Sequence, residues 1–474
     1  MINLIRNELY KVFHKKSIIV FAILILGMTI LNSWLYKTNY DNDGNFIQNN
    51  NTTSSDMLDT YLNELKKYDY NKEDEVLEYI SNKTNYDREK IISDNKYTSD
   101  NWQYEYLYND KVYDMIYYIN YYTYVEKDAD KLSSYQKMLD SYLDKLKNND
   151  WKYFVNLELD KVNNELQKYN TSELKVKKEV LEYRLNKNIS LDNSYMNNAL
   201  NGYESITNTL NSYGEYDKLN YEDKFAYQRA LKEQKINKYI IDTGKNVLKQ
   251  NDLRSGIADV VNDYEIFIVL FVIVIASGIV SSEFKDGTIK QLLVKPYKRT
   301  TILLAKYLTC IICLFLVVSY TTICEFIVRS LFFSFDGIDV PMLIYNYNTN
   351  KLLEFNPLVY MLIIFIHRLP QFILLLTLAF SLSTIFTSTS LANTLTILGY
   401  MTADVINTLS RAFNLKFMNY FVTLNWDFRN YLFGALPNYE GFNIKFSSII
   451  CLIYLVIMLV VSFTIFKKKN IKNI

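Results

Sequence analysis

The chain has 474 residues, about three domains by length, and 49% of them are apolar. Its 52 Lys and Arg against 51 Asp and Glu leave a net charge of +1, which argues against nucleic acid as a partner. The average hides a split: residues 37–263 carry 31 basic and 40 acidic side chains, and the rest of the chain carries 21 and 11.

Residues 2–16 place Ile2, Ile5, Leu9, Val12 and Phe13 at helical spacing, with Arg6 and Lys11 off that stripe. This is the pattern of an amphipathic helix lying at the inner membrane interface. Residues 17–36 carry no charge over twenty positions, enough for one helix across about 30 Å of hydrocarbon. A cleaved signal peptide is the competing reading. Against it, the run is longer than a signal core, and the bulky Leu35-Tyr36-Lys37 stands where cleavage needs small side chains.

Residues 37–263 contain none of the five prolines and five of the 12 glycines, so long helices are expected here. Leu139, Tyr142 and Leu146, then Val155, Leu159, Val162, Leu166 and Tyr169, recur at three- and four-residue steps, and Thr171-Ser172-Glu173 reads as a helix start. Asn-rich stretches near 39–51, 93–101 and 186–202 read as loops. The block holds 28 of the 42 Tyr. Tyr suits the packing of thin helical layers, and it also suits a surface that grips peptides or lipid head groups.

Apolar runs at 266–280, 307–328, within 358–386, at 391–409 and at 447–466 bring the total to six, each expected as one helix because only helices satisfy their backbone groups in lipid. Lys11, Lys15 and Lys16 precede the first run, Lys285 to Lys306 lie between the second and third, and Lys467, Lys468 and Lys469 follow the sixth. Six passes put these segments on one side, the cytoplasm, with 37–263, 331–357 and 410–446 outside. The expected fold is all-α: a six-helix transmembrane domain and a mainly helical extracellular domain, divided as 1–36, 37–263 and 264–474.

Cys310, Cys313, Cys324 and Cys451 all lie in apolar runs, so Cys310-x-x-Cys313 reads as packing, and His14 and His367 are too few for a metal site. The phosphate-binding G-x-x-x-x-G-K-[ST] loop does not occur; Gly244-Lys245 is followed by Asn. No carboxylate pair stands with a nucleophile or His, so neither a catalytic residue nor a metal ligand is expected.

The most specific segment is 281–306. Glu283 ends the second run, Asp286 can cap a short helix, and Gly287-Thr288 give a tight entry. Ile289, Leu292 and Leu293 share an apolar face that needs a partner groove, and Pro296 ends the helix before Lys298-Arg299. The set Glu283, Gly287-Thr288, Leu292-Leu293, Pro296, Arg299 and Lys306 resembles the loop of ATP-binding-cassette transporter permeases of the type-two export class. Residues 2–16 resemble that family's connecting helix, and 381–393 its turn between spans four and five, without the basic residue often found there. Residues 420–434 resemble its short helices between spans five and six, and 466–470 its basic exit. The resemblance covers the chain ends and 264–474, and leaves 37–263 as an insertion found in some members.

The resemblance implies a permease subunit and no enzyme in this chain. Its loop would dock through Glu283, Gly287, Thr288, Leu292, Leu293 and Pro296 on a separate cytoplasmic ATPase, which brings the ATP and Mg. A second permease chain, identical or paired, would complete the path. The large outer domain and the Asn-, Lys- and Tyr-rich composition point to the plasma membrane of a Gram-positive bacterium. They also point to export of an antimicrobial peptide, drug or lipid-like substrate, in immunity or resistance. A rival is a non-transporting receptor or secretion scaffold of the phage-infection-protein-like architecture, which leaves the 287–296 helix without a purpose.

Four charges fall within the apolar runs or at their edge. Glu325 and Arg329, four apart, read as a structural pair. Arg368 reads as snorkelling from the outer half of the fourth span, where Pro370 kinks the helix or sets off a short outer one. Asp404, with Asn407 a step away, is expected to face the interior or the outer mouth.

Overall fold

The computed structural model describes residues 1–41, 44, 54–98, 101–192, 195–289, 297–335, 337–386, 388–413 and 416–469. The chain divides into two compact units, one of residues 1–45, 216–232 and 247–474, the other of 46–215 and 233–246. The first opens with α1 (Ile2–Phe13) and α2 (Lys16–Asn39). The expected stripe on α1 is rotated: Leu4, Glu8 and Val12 are its buried face, whereas Ile2 and Phe13 are exposed.

The second unit is helical, as its lack of proline predicts: α3 (Ser54–Leu65), α4 (Val76–Asp94), α5 (Trp102–Leu107), α6 (Asp110–Tyr124), α7 (Ala129–Lys147), α8 (Trp151–Tyr169), α9 (Ser172–Asn186) and α10 (Tyr195–Ser212). Side chains start several of them. The Thr171 hydroxyl accepts from the Leu174 N–H at 3.3 Å, and Asp128 and Asn109 do the same for α7 and α6. A turn at Asn148–Asp150, with Asn149 at φ 54°, separates α7 from α8. Leu139, Tyr142, Leu146, Val155 and Val162 are buried, while Tyr169 is exposed. Tyr104, Tyr106, Tyr108, Tyr135 and Tyr153 pack around that core. Here Tyr does the work that Leu does in Leu-rich proteins.

The long helix α11 (Tyr221–Thr243) contributes residues to both units. Beyond it, α12 (Leu253–Asp263) belongs to the first unit rather than to the acidic block. Its Leu253, Ile257, Ala258, Val260 and Val261 are buried there, which moves the expected boundary at 263 towards the N-terminus.

The remaining elements are α13 (Glu265–Lys285), α14 (Arg299–Phe333), β1 (Met342–Asn346), β2 (Lys351–Phe355), α15 (Pro357–Ile385), α16 (Thr389–Met401), α17 (Ala403–Phe413), α18 (Val422–Asn425) and α19 (Ile444–Lys468). Among the described residues five helices, α2, α13, α14, α15 and α19, are long and apolar enough to cross a membrane. The single helix expected over 391–409 is instead two, meeting at Thr402. The Thr402 hydroxyl donates to the Leu398 carbonyl at 2.7 Å, a back-bond that bends helices, and Gly399 lies beside it. The two helices still return the chain along the bundle. Ser462 donates to Ser381 at 2.8 Å and Lys469 to the Thr384 carbonyl at 3.0 Å, so α15 and α19 run parallel and the segment between them runs back.

Two further corrections concern α15 and the segment before it. Helix α15 continues through Pro370, so no separate outer helix forms. Segment 331–357 is not a plain loop: β1 and β2 pair antiparallel, Ile344 opposite Leu353, across a turn with Asn350 at φ 55°.

Small polar residues bring the apolar helices together. Along α13, the Ser281 N–H donates to the Ser383 hydroxyl at 3.0 Å, and its own hydroxyl meets that of Thr389 at 2.9 Å. The Ser277 hydroxyl donates to the side-chain amide oxygen (Oδ1) of Asn393 in α16. Hydroxyls on neighbouring helices are a common adhesive where the solvent is lipid.

Candidate functional site: buried charge clusters at the two ends of the apolar bundle

One end of the bundle carries the loop between α13 and α14. There the Lys306 ammonium, fully buried on α14, donates to Glu8 Oε2 at 2.6 Å and to the Ile279 carbonyl at 3.0 Å, and pairs with Glu283 Oε1 at 2.8 Å. Its three N–H groups are thereby used. Lys11 closes the circuit, pairing with Glu8 at 3.0 Å and with Glu283 at 2.8 Å. Glu8 and Glu283 are 5% and 6% exposed, so α1, the end of α13 and the start of α14 are joined by charges that cannot be satisfied by water. Burial pushes the Glu8 carboxyl up, but Lys306 and Lys11 outweigh it and hold it below the usual carboxylate range. Burial works against the Lys11 ammonium too, yet Glu283 and Glu8 keep its pKa raised.

Of the expected loop residues, Glu283 stands in this cluster. Its Oε2 makes no hydrogen bond among the described residues. Gly287, at φ +69°, takes the left-handed conformation that ends α13 after the cap at Asp286, and it is exposed, as is Thr288. Asp286 is thus the C-cap of α13, and the short helix it was expected to start lies largely outside the described residues. Ile289, expected on the partner-seeking face, is fully buried in the bundle core. Leu292, Leu293 and Pro296 lie outside the described residues. Arg299, read as a head-group contact, donates to the carbonyls of Lys467 and Lys469 at 3.2 and 3.1 Å and so caps the end of α19.

The opposite end holds a second set. Glu325 and Arg329 pair as expected, Nε to Oε1 at 2.8 Å, both fully buried. Tyr264 donates to the other Glu325 oxygen at 2.7 Å, Arg329 donates to the Gln250 carbonyl at 3.0 Å, and its guanidinium lies 4.5 Å from the Tyr36 ring centre. A Cβ at Gly256 would stand 2.8 Å from Arg329 Cγ, so glycine there lets α12 approach the guanidinium arm.

Arg368 does not snorkel. It is buried, pairs with Glu265 at the start of α13, and donates to Gln371 at 2.8 Å. Gln371 in turn donates to Glu265 at 2.8 Å. Pairing with a carboxylate inside the bundle replaces a reach to the interface. Asp404, expected to face the interior or the outer mouth, is exposed in the first turn of α17. It stands there at the positive end of the helix dipole. In the short helices after α17, Asp427 and Arg429 pair at 2.7 Å, and Arg429 donates to Asn262 at 2.6 Å. Burial raises the Asp427 carboxyl, and Arg429 more than reverses that.

Glu8, Lys11 and Glu265 were not legible as site residues, and Lys306 was legible only through the resemblance. The one local signal was Glu8 itself, a carboxylate four residues from both Leu4 and Val12 on an apolar face. Among the described residues no group of His, Cys, Asp and Glu could hold a metal ion, and the four cysteines are buried thiols.

The apolar helices and these buried pairs define a mainly helical, multi-pass membrane protein. Residues 230–472, just over half of the chain, match the family model described as "Protein of unknown function (DUF2705)", and the chain belongs to that family. It is similar to "Uncharacterized protein YhcI" of Bacillus subtilis (strain 168), with 30% identity over 204 residues, 43% of this chain. The match spans 64% of that relative's length. No solved structure matches.

Proposed function

We propose that the chain is the transmembrane permease subunit of an ATP-driven exporter of the ATP-binding-cassette type. It moves an antimicrobial peptide, drug or lipid-like substrate out of a Gram-positive cell, with a second permease chain and a separate ATPase that binds ATP and Mg. Helices α16 and α17 make the sixth pass, and the 37–263 block lies outside. The observation that carries this reading is the Glu8–Lys306–Glu283–Lys11 cluster. It fixes the amphipathic helix α1 to both roots of the 286–298 loop, so a push on the loop moves α1, α13 and α14 as one body.

The test is Leu292→Asp/Leu293→Asp. Each leucine is worth about 1.5–3 kcal/mol when buried, and each Asp adds a charge to be desolvated against the groove. The double variant should insert and melt like wild type in detergent yet lose the ATPase on copurification. Normal assembly and normal export would remove the permease reading and favour the receptor architecture.

Orientation is checked separately, in a background without the four native cysteines. Asn211→Cys, on the exposed face of α10, should react with an impermeant maleimide in whole cells, and Lys295→Cys should not. The reverse pattern would invert the topology.

A further inference from the structure

The helical unit of residues 46–215 and 233–246 contains a cleft of about 1190 Å³, larger than the ~300–1,000 Å³ of ordinary small-molecule sites. Helices α8, α9 and α10 wall it, and α5 closes one end. Its two ends differ in charge. At one end is Arg184 of α9, 6% exposed. Its Nη1 donates to the Ser190 carbonyl at 3.0 Å, to Asn197 Oδ1 at 2.6 Å and to the Ile189 carbonyl at 3.5 Å. Among the described residues no carboxylate lies within ion-pair distance of it, and its Nε and Nη2 make no hydrogen bond. Neither nitrogen is among the buried unpaired atoms, so both open to the cleft, and the planar fork of a guanidinium fits a carboxylate.

Beside it is an aromatic floor. Phe154 packs against Tyr106 at 5.0 Å and against Trp102 at 5.4 Å between ring centres, and all three line the cleft. The other end carries Glu158, Glu204 and Lys177. Lys177, seven residues before Arg184 on α9 and so about 10 Å away along the axis, pairs with Glu158 at 2.6 Å. Glu204 of α10 also lines this end and makes no ion pair among the described residues.

We propose that this cleft binds the carboxy-terminal end of a peptide. The terminal carboxylate pairs with Arg184, the last side chain lies on the Trp102–Tyr106–Phe154 floor, and an amine upstream meets Glu204. An extended chain covers about 3.3–3.6 Å per residue, so three residues span the distance between the charged ends. The assignment does not depend on the permease reading, because a receptor with the same unit would bind the same peptide.

The test uses the full chain in lipid nanodiscs and the N-acetylated tripeptide Lys-Ala-Phe as free acid, as C-terminal amide, and with norleucine in place of Lys, so that the Lys side chain is the peptide's one amine, measured by calorimetry. The free acid should bind saturably and the amide at least tenfold more weakly. Arg184→Gln should abolish the difference between acid and amide. Because Arg184 also holds the 189–190 backbone, Glu204→Gln provides a second reading. It should weaken Lys-Ala-Phe several-fold and leave the norleucine peptide unchanged. Equal affinity for acid and amide, no binding of either at millimolar concentration, or an equal effect of Glu204→Gln on both peptides would overturn the proposal.

Discussion

Lys306→Met is expected to lower stability by about 3–5 kcal/mol, the cost of breaking a buried ion pair from one side. The side chain is fully buried and is the one cation that touches both Glu8 and Glu283 without reaching solvent. Without it two carboxylates face each other with only the half-exposed Lys11 between them. In a detergent melt this should appear as a drop of roughly 6–20 °C. The control separates charge from packing. Glu8→Met/Lys306→Met removes both members, keeps the Lys11–Glu283 pair and fills the volume, so it should melt close to wild type. A single variant that melts like wild type would show that the cluster does not hold α1 to the bundle. Acid should act in the same direction. The Glu8 carboxyl is held below its usual range in the folded state, so its contribution is complete above the ordinary carboxylate pKa and is lost as pH falls through the folded value.

Arg329→Met should cost a similar amount, about 3–5 kcal/mol, at the other end of the bundle. It leaves Glu325 buried with Tyr264 as its remaining donor, and it removes the bond to the Gln250 carbonyl that ties the start of α12 to α14. Recovery should come in steps. Glu325→Met/Arg329→Met removes the lone charge but leaves the Tyr264 hydroxyl proton without an acceptor, its oxygen still accepting from Asn32 at 3.3 Å, a loss of about 1–3 kcal/mol for an unsatisfied buried donor. Adding Tyr264→Phe should restore most of that. If the double variant is no better than Arg329→Met alone, the cost lies in packing against Gly256 and Tyr36 and not in the orphaned carboxylate. The melting curves of the three variants decide between these accounts.

The contrast between Arg329 and Arg368 shows how far a residue's surroundings can be read along the chain. Glu325 lies one helical turn from Arg329, so spacing alone pairs them. Arg368 has no carboxylate on its own helix within reach. Its partner Glu265 is 103 positions away, and only the packing of α13 against α15 joins them. Glu8 lies 298 positions from Lys306, farther still. Glu8, Glu283 and Lys306 each look like an ordinary charge flanking an apolar run, and burial at their meeting point turns three interface charges into one cluster. Asp404 is the converse case. Its place in an apolar run left the interior and the outer mouth both open, and the bend at Thr402, which starts a new helix, leaves it exposed.

The sequence alone determined the helical class, the apolar runs that become α2, α13, α14, α15 and α19, and the Thr171 start of α9. These follow from local properties: about twenty uncharged residues, the absence of proline, and a hydroxyl placed to accept an N–H three residues on. Only the tertiary structure decided that α12 joins the apolar unit, that 391–413 breaks in two, that β1 and β2 form a hairpin, and which charges meet inside the bundle. The reason is energetic. In a water-excluding bundle a charge is stabilised only by a partner within about 3 Å, and that partner is chosen by helix packing between residues hundreds of positions apart, a distance over which local pattern carries no information.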